Sequence, residues 1–116
     1  MSTVKTKSAQ SINNNDEYYV KYVFEGGNTT GYNIYRNCKI TFTGETGKQV
    51  DMSFGTSHLS YEMITGPFKY HDKVSATFDG GGFTYMSIQI YVSKNNSPFA
   101  LKCLSNGGYL EYTIDY

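Results

Sequence analysis

The sequence predicts an all-β protein: a two-sheet antiparallel β-sandwich, immunoglobulin-like, of seven or eight short strands. Three observations predict it. Val, Ile, Tyr, Phe and Thr supply 44 of the 116 residues, while Ala and Leu together supply seven, a composition of strand formers with few helix formers. Apolar and polar residues alternate with a period of two in segment after segment, and no stretch shows the 3.6-residue apolar period of a helix. Turn residues, mostly Gly, Asn, Asp and Pro, recur at the eight-to-twelve-residue spacing of a sandwich or small barrel. One domain of common size accounts for the whole length.

Residues 1–16, MSTVKTKSAQSINNND, are polar and aperiodic and read as a disordered N-terminal linker. They contain no apolar h-region. Residues 17–116 read as the single sandwich domain. Its first strand has Tyr18, Val20, Tyr22 and Phe24 on the inward face, with Tyr19, Lys21, Val23 and Glu25 opposite. The glycines and Asn of residues 25–31 mark a loop. Cys38, Ile40 and Phe42 alternate with Asn37, Lys39, Thr41 and Thr43. After Gly44-Glu45-Thr46-Gly47, Val50, Met52 and Phe54 alternate with Asp51 and Ser53. Strands over 37–43 and 48–54 therefore form a hairpin. A weaker strand over 60–65 ends at Gly66-Pro67, because Pro cannot donate to a ladder.

Val74, Ala76 and Phe78 alternate with Lys73, Ser75 and Thr77, up to the turn Asp79-Gly80-Gly81-Gly82. The longest strand, 84–93, has Met86, Ile88, Ile90 and Val92 on one face and Tyr85, Ser87, Gln89 and Tyr91 on the other. A turn over 94–98 leads to a strand over 99–105, and Asn106-Gly107-Gly108 leads to the last, 109–116, where Leu110, Tyr112, Ile114 and Tyr116 share a face. The shared phase predicts a core of Val20, Tyr22, Ile40, Phe42, Val50, Met52, Val74, Ala76, Phe78, Met86, Ile88, Ile90 and Leu101.

Ten basic and ten acidic residues cancel. That lacks the basic excess with which a nucleic-acid binder neutralises phosphates. No apolar run approaches the roughly 20 residues of a spanning helix. The chain carries no G-x-S-x-G elbow, no P-loop and no C-x-x-C. His58 and His71 are the histidines. A set of Ser57, His71 and Asp72 can be drawn on paper, but a triad is recognised by geometry, and two solvated loop histidines are the preferred reading. The residues point to a protein that is not an enzyme, with no catalytic residues, no metal site and no cofactor.

Two readings of the cysteines stand. Cys38 shares a face with Ile40 and Phe42, and Cys103 is in phase with Phe99 and Leu101, so both point at a core. They form either a disulfide between an early and a late strand, which stabilises by roughly 4 kcal/mol in the chain-entropy model, or two buried free thiols that act as small hydrophobes. Of the twelve tyrosines, Tyr19, Tyr85, Tyr91 and Tyr109 fall on polar-face positions. They are the candidate binding residues, able to stack on sugar rings or anchor a partner. Cross-strand aromatic pairing is the plainer reading of a Tyr-rich sheet.

Three strings carry a family resemblance. Tyr18-Tyr19-Val20-Lys21-Tyr22-Val23-Phe24-Glu25-Gly26 resembles the V-x-Y-E-V-x-G opening of the periplasmic domains of the mycobacterial membrane protein small (MmpS) family. Gly66-Pro67-Phe68 leading into Val74-Ser75-Ala76-Thr77-Phe78, and then Ile88-Gln89-Ile90-Tyr91-Val92-Ser93, are similar to that family's late strands. The likeness covers about 17–104, and it extends to small secreted or lipoprotein domains of Bacteroidetes-type bacteria. Met86-Ser87 stands where the family has a cysteine, and no functional residue carries over. The resemblance implies a small β-sandwich in an extracytoplasmic home, periplasmic, cell-surface or secreted, once a signal sequence is removed. The expected function is that of a non-catalytic interaction domain, accessory to an envelope complex, whose partner is a protein or envelope component. The alternative is a glycan-binding module using the exposed tyrosines.

Overall fold

The computed structural model describes residues 14–29 and 34–116. Eight strands follow one another: β1 (Tyr18–Gly27), β2 (Arg36–Thr43), β3 (Gln49–Thr56), β4 (Leu59–Phe68), β5 (Lys73–Asp79), β6 (Tyr85–Lys94), β7 (Ala100–Ser105) and β8 (Tyr109–Thr113). There is no helix among the described residues, and so none long and apolar enough to cross a membrane. Two four-stranded sheets form, sheet A in the order β4-β1-β6-β7 and sheet B in the order β3-β2-β5-β8. Every pairing is antiparallel. The expected two-sheet sandwich is present, with a strand order of its own. Immunoglobulin domains pair their first two strands in one sheet, whereas β1 and β2 here lie in opposite sheets.

The alternation decides which rows meet between the sheets. Sheet A contributes Tyr18, Val20, Tyr22 and Phe24 from β1 and Ile88, Ile90 and Val92 from β6. Sheet B contributes Cys38, Ile40 and Phe42 from β2 and Val74, Ala76 and Phe78 from β5. All are buried, and each large side chain so buried stabilises by roughly 1.5–3 kcal/mol. Aromatic rings bind the layers: Tyr22 and Phe42 lie 5.2 Å apart, and Phe24 meets Phe78 edge-on at 5.9 Å. Both tyrosine hydroxyls of this cluster are satisfied: that of Tyr22 donates to the Thr43 carbonyl at 2.7 Å, and that of Tyr18 to the Tyr116 carbonyl.

Two residues expected in the core are outside it. Leu101 is 51% exposed. A bulge between Ile90 and Tyr91 in the β6–β7 pairing sets Ile90 opposite Cys103 but Tyr91 opposite Leu101. One extra residue on β7 reverses the facing of its earlier half. Val50 is 39% exposed because β3 is an edge strand, and its inward row is only partly covered. Met52 and Phe54, beside it, pack against the core from partly buried positions, as Met86 does.

Boundaries move as well. Gly26 and Gly27, expected in a loop, are buried in β1. β4 runs through the cis Gly66–Pro67 peptide to Phe68. It can do so because it is an edge strand and its register with β1 shifts between Tyr18 and Val20; Pro in a sheet is confined to such sites. The N-terminal linker falls outside the described residues for positions 1–13. Asp16, expected in that linker, is buried: it accepts from the Asn95 amide at 2.9 Å and pairs with Lys94 at 3.6 Å. The backbone N–H of Glu17 donates to Asn95 Oδ1, and that of Asn95 to the Glu17 carbonyl. Asp16 and Glu17, just before β1, are thus clamped to the β6–β7 turn.

Candidate functional site

The outer face of sheet A is built by the residues that the core rejects. Strand register sets Lys21 of β1 between Ile64 of β4 and Tyr91 of β6, and Tyr91 beside Leu101 of β7. These four side chains form a row across all four strands, roughly 14 Å long at the usual strand spacing. The next row is Glu62, Val23, Gln89 and Leu104. Ile64 and Leu101 are each 51% exposed and Leu104 is 52% exposed. Tyr19, diagonal to Tyr91 across the β1–β6 pairing, stands in a cleft of about 270 Å³ with Ile64, Phe99, Ser93, Asn96 and Ser97.

Among the described residues, one cation, Lys21, lies between the exposed apolar side chains of this face. The Lys21 ammonium sits 4.7 Å from the centre of the Tyr91 ring and 5.3 Å from that of Phe99, where the ring quadrupoles attract it. Among the described residues it forms no ion pair. The Tyr91 hydroxyl donates to Gln89 Oε1 at 2.6 Å, which holds the ring in place on the sheet.

The four tyrosines singled out by polar-face position do not make one surface. Tyr19 and Tyr91 are neighbours. Tyr85 shares their face but lies six residues from Tyr91 along β6, about 20 Å away, where its hydroxyl meets His58 Nδ1 at 3.3 Å. Tyr109 belongs to β8 of the other sheet, opposite Thr77. Strand alternation finds the face of a sheet but not which sheet the strand joins. Lys21, Ile64, Phe99, Leu101 and Leu104 escaped the sequence reading. One signal was available: Leu101 and Leu104 are three apart, so in a regular strand they would face opposite ways, and their common exposure requires the bulge.

Cys38 and Cys103 are both free thiols, but only Cys38 is buried as the second reading has it. Cys38 is buried on β2. Cys103 is half-buried on β7, with its Sγ toward the Glu111 carbonyl of β8. β2 and β7 belong to different sheets, and β7 lies at an edge. Burial pushes both thiols up from their ordinary value, and at Cys38 the Asp79 carboxylate adds to the rise. Ser57 lies in the β3–β4 turn, while His71 and Asp72 lie in the β4–β5 turn. The ten-residue β4 strand separates them by roughly 30 Å, so the set drawn from the sequence is not assembled. His71 stacks on Tyr70, ring centres 3.8 Å apart, and its backbone N–H donates to the Ile114 carbonyl. Among the described residues no three His, Cys, Asp or Glu side chains converge.

Comparison with protein-family models, with curated proteins and with solved structures finds no match for this chain.

Proposed function

We propose that the protein is a non-catalytic interaction domain that docks a segment of a partner protein on the outer face of sheet A. The observation that carries this reading is the row Ile64–Lys21–Tyr91–Leu101. It joins exposed apolar side chains to a cation that rests on aromatic rings and has no carboxylate partner among the described residues. A patch of this kind is typical of a contact surface. Its chemistry selects a segment with apolar or aromatic side chains and a carboxylate to meet Lys21. The resemblance to the MmpS periplasmic domains extends the proposal to an extracytoplasmic setting and a role accessory to an envelope complex.

Selection from a displayed random-peptide library tests the reading. Peptides that bind the wild type should place Asp, Glu or a C-terminal carboxylate next to apolar residues. Lys21→Glu and Leu101→Asp should each weaken the synthesised peptides roughly tenfold or more, the range of an interface hot spot. Equal binding by both variants would refute it.

The glycan reading keeps one foothold, the cleft in which Tyr19 and Phe99 stand beside Ser93, Asn96 and Ser97. Loss of oligosaccharide binding in Tyr19→Ala would favour it over peptide docking.

A further inference from the structure

Sheet B carries a different kind of surface on its outer face. Tyr35, just before β2, is 70% exposed. The tip of its ring lies over Gly55 of β3: a Cβ at that glycine would stand 2.2 Å from the Tyr35 hydroxyl and 2.8 Å from Cζ. Gly55 has a negative φ and needs no special backbone freedom; the missing side chain makes room for the ring. Asn37 lies opposite Gly55, and Lys39 lies between Ser53 and Asp79 in the ladder. These six residues line a cleft of about 410 Å³, within the roughly 300–1,000 Å³ of small-molecule sites.

Hydrogen-bonding capacity in this cleft is largely unspent. Among the described residues the side chains of Asn37 and Ser53 make no hydrogen bond that competes for them. Asp79 uses one carboxylate oxygen to accept from the Gly81 N–H at 3.1 Å. Lys39 reaches only a loose pair with Asp51 at 3.9 Å, both side chains more than half exposed, a contact of little strength. The cleft thus combines an exposed aromatic ring, one cation, one carboxylate, an amide and a hydroxyl. Of the charged side chains that line the cleft, Lys39 and Asp79 balance, and the Asp51 carboxylate stands outside it on the far side of Lys39. Donors and acceptors are both present, so a phosphate, which only accepts, would leave Asp79 opposed. A sugar ring meets every requirement: its C–H face stacks on an aromatic ring while its hydroxyls both donate and accept.

We infer that this cleft is a binding site for a neutral saccharide, with Tyr35 as the stacking platform and Asn37, Lys39, Ser53 and Asp79 as the hydroxyl partners. The site is on the opposite sheet from the peptide-docking face and does not depend on that reading.

A printed array of neutral and acidic oligosaccharides, followed by calorimetric titration of the strongest neutral binder, tests it. The wild type should bind at least one neutral saccharide. Tyr35→Ala, at an exposed position that the core does not use, should weaken it roughly five- to tenfold, the worth of one aromatic stacking contact. Gly55→Val, which displaces the ring, should do the same, whereas Leu101→Asp and Tyr19→Ala should leave it within twofold. Four results would overturn the inference: no neutral saccharide bound at millimolar concentration, Tyr35→Ala within twofold of wild type, binding lost in Tyr19→Ala instead, or binding of acidic saccharides alone. Since Tyr35→Ala decides the matter by itself, a folding defect in Gly55→Val changes nothing.

Discussion

Tyr22 shows how much a single side chain settles. Its position in the alternation of β1 sends it inward, and its hydroxyl then needs a partner, which the Thr43 carbonyl supplies. Burial pushes its ionisation well above the ordinary tyrosine range, although the Thr43 contacts pull part of the way back. The native state therefore keeps the phenol neutral where the unfolded chain ionises. Stability from this group is intact below the unfolded value of about 10 and is lost as pH rises beyond it. Urea midpoints measured from pH 8 to 11 should begin to fall near pH 9, where the unfolded thiols of Cys38 and Cys103 ionise, and fall more steeply above about pH 10, where the tyrosines follow. In Tyr22→Phe the fall above pH 10 should be shallower, leaving the shares of Tyr18, Tyr112 and Tyr116 and of the two thiols, whose values burial also raises. At neutral pH the same variant should lose about 1–3 kcal/mol, because the Thr43 carbonyl is left without a buried donor. An unchanged alkaline slope in Tyr22→Phe would show that another group governs it.

At the scale of the element, composition identifies the strands and local irregularity decides where they end. Gly26 and Gly27 look like a loop because glycine is a turn residue in isolation, yet both lie in β1 because the neighbouring rings need their space. A Cβ at Gly26 would stand 2.9 Å from the Phe83 ring, 3.1 Å from the Phe78 ring and 3.1 Å from the Tyr85 carbonyl oxygen. Gly26→Ala should lower stability by about 1–3 kcal/mol through overpacking, read as a drop in urea midpoint at unchanged slope. Equal stability would mean that Phe83 has room to retreat. The β7 bulge and the shifted register of β4 opposite Tyr18 are of the same kind. Each turns on an extra residue in one strand, which alternation within that strand cannot reveal until the partner's register is known.

At the scale of the whole molecule, the assignment of strands to sheets decides which side chains can act together. Cys38 and Cys103 each look inward along their own strand, and the sequence left a disulfide open. The sheets put Cys38 on β2, second strand of one sheet, and Cys103 on β7, at the edge of the other. Unfolded without reductant and alkylated, the protein should gain two adducts by intact mass. Under native conditions Cys38 should react far more slowly than an exposed thiol, since it is buried and its ionisation is raised. A single species resistant to alkylation until reduced would restore the disulfide.

The sequence by itself determined the class of fold, the 37–43 hairpin partner and most of the core, because a period of two is a local property that each strand carries within it. Ile40, Phe42, Val74, Ala76, Phe78, Ile88 and Ile90 all lie where their phase puts them. Only the tertiary structure decided the surfaces. Tyr19, Lys21 and Tyr91 come together because β1 pairs with β6, Tyr109 departs because β8 pairs with β5, and a bulge in β7 turns Leu101 outward beside Tyr91. Pairing between strands distant in the chain is set by the summed burial of both sheets, and no window of sequence contains that sum.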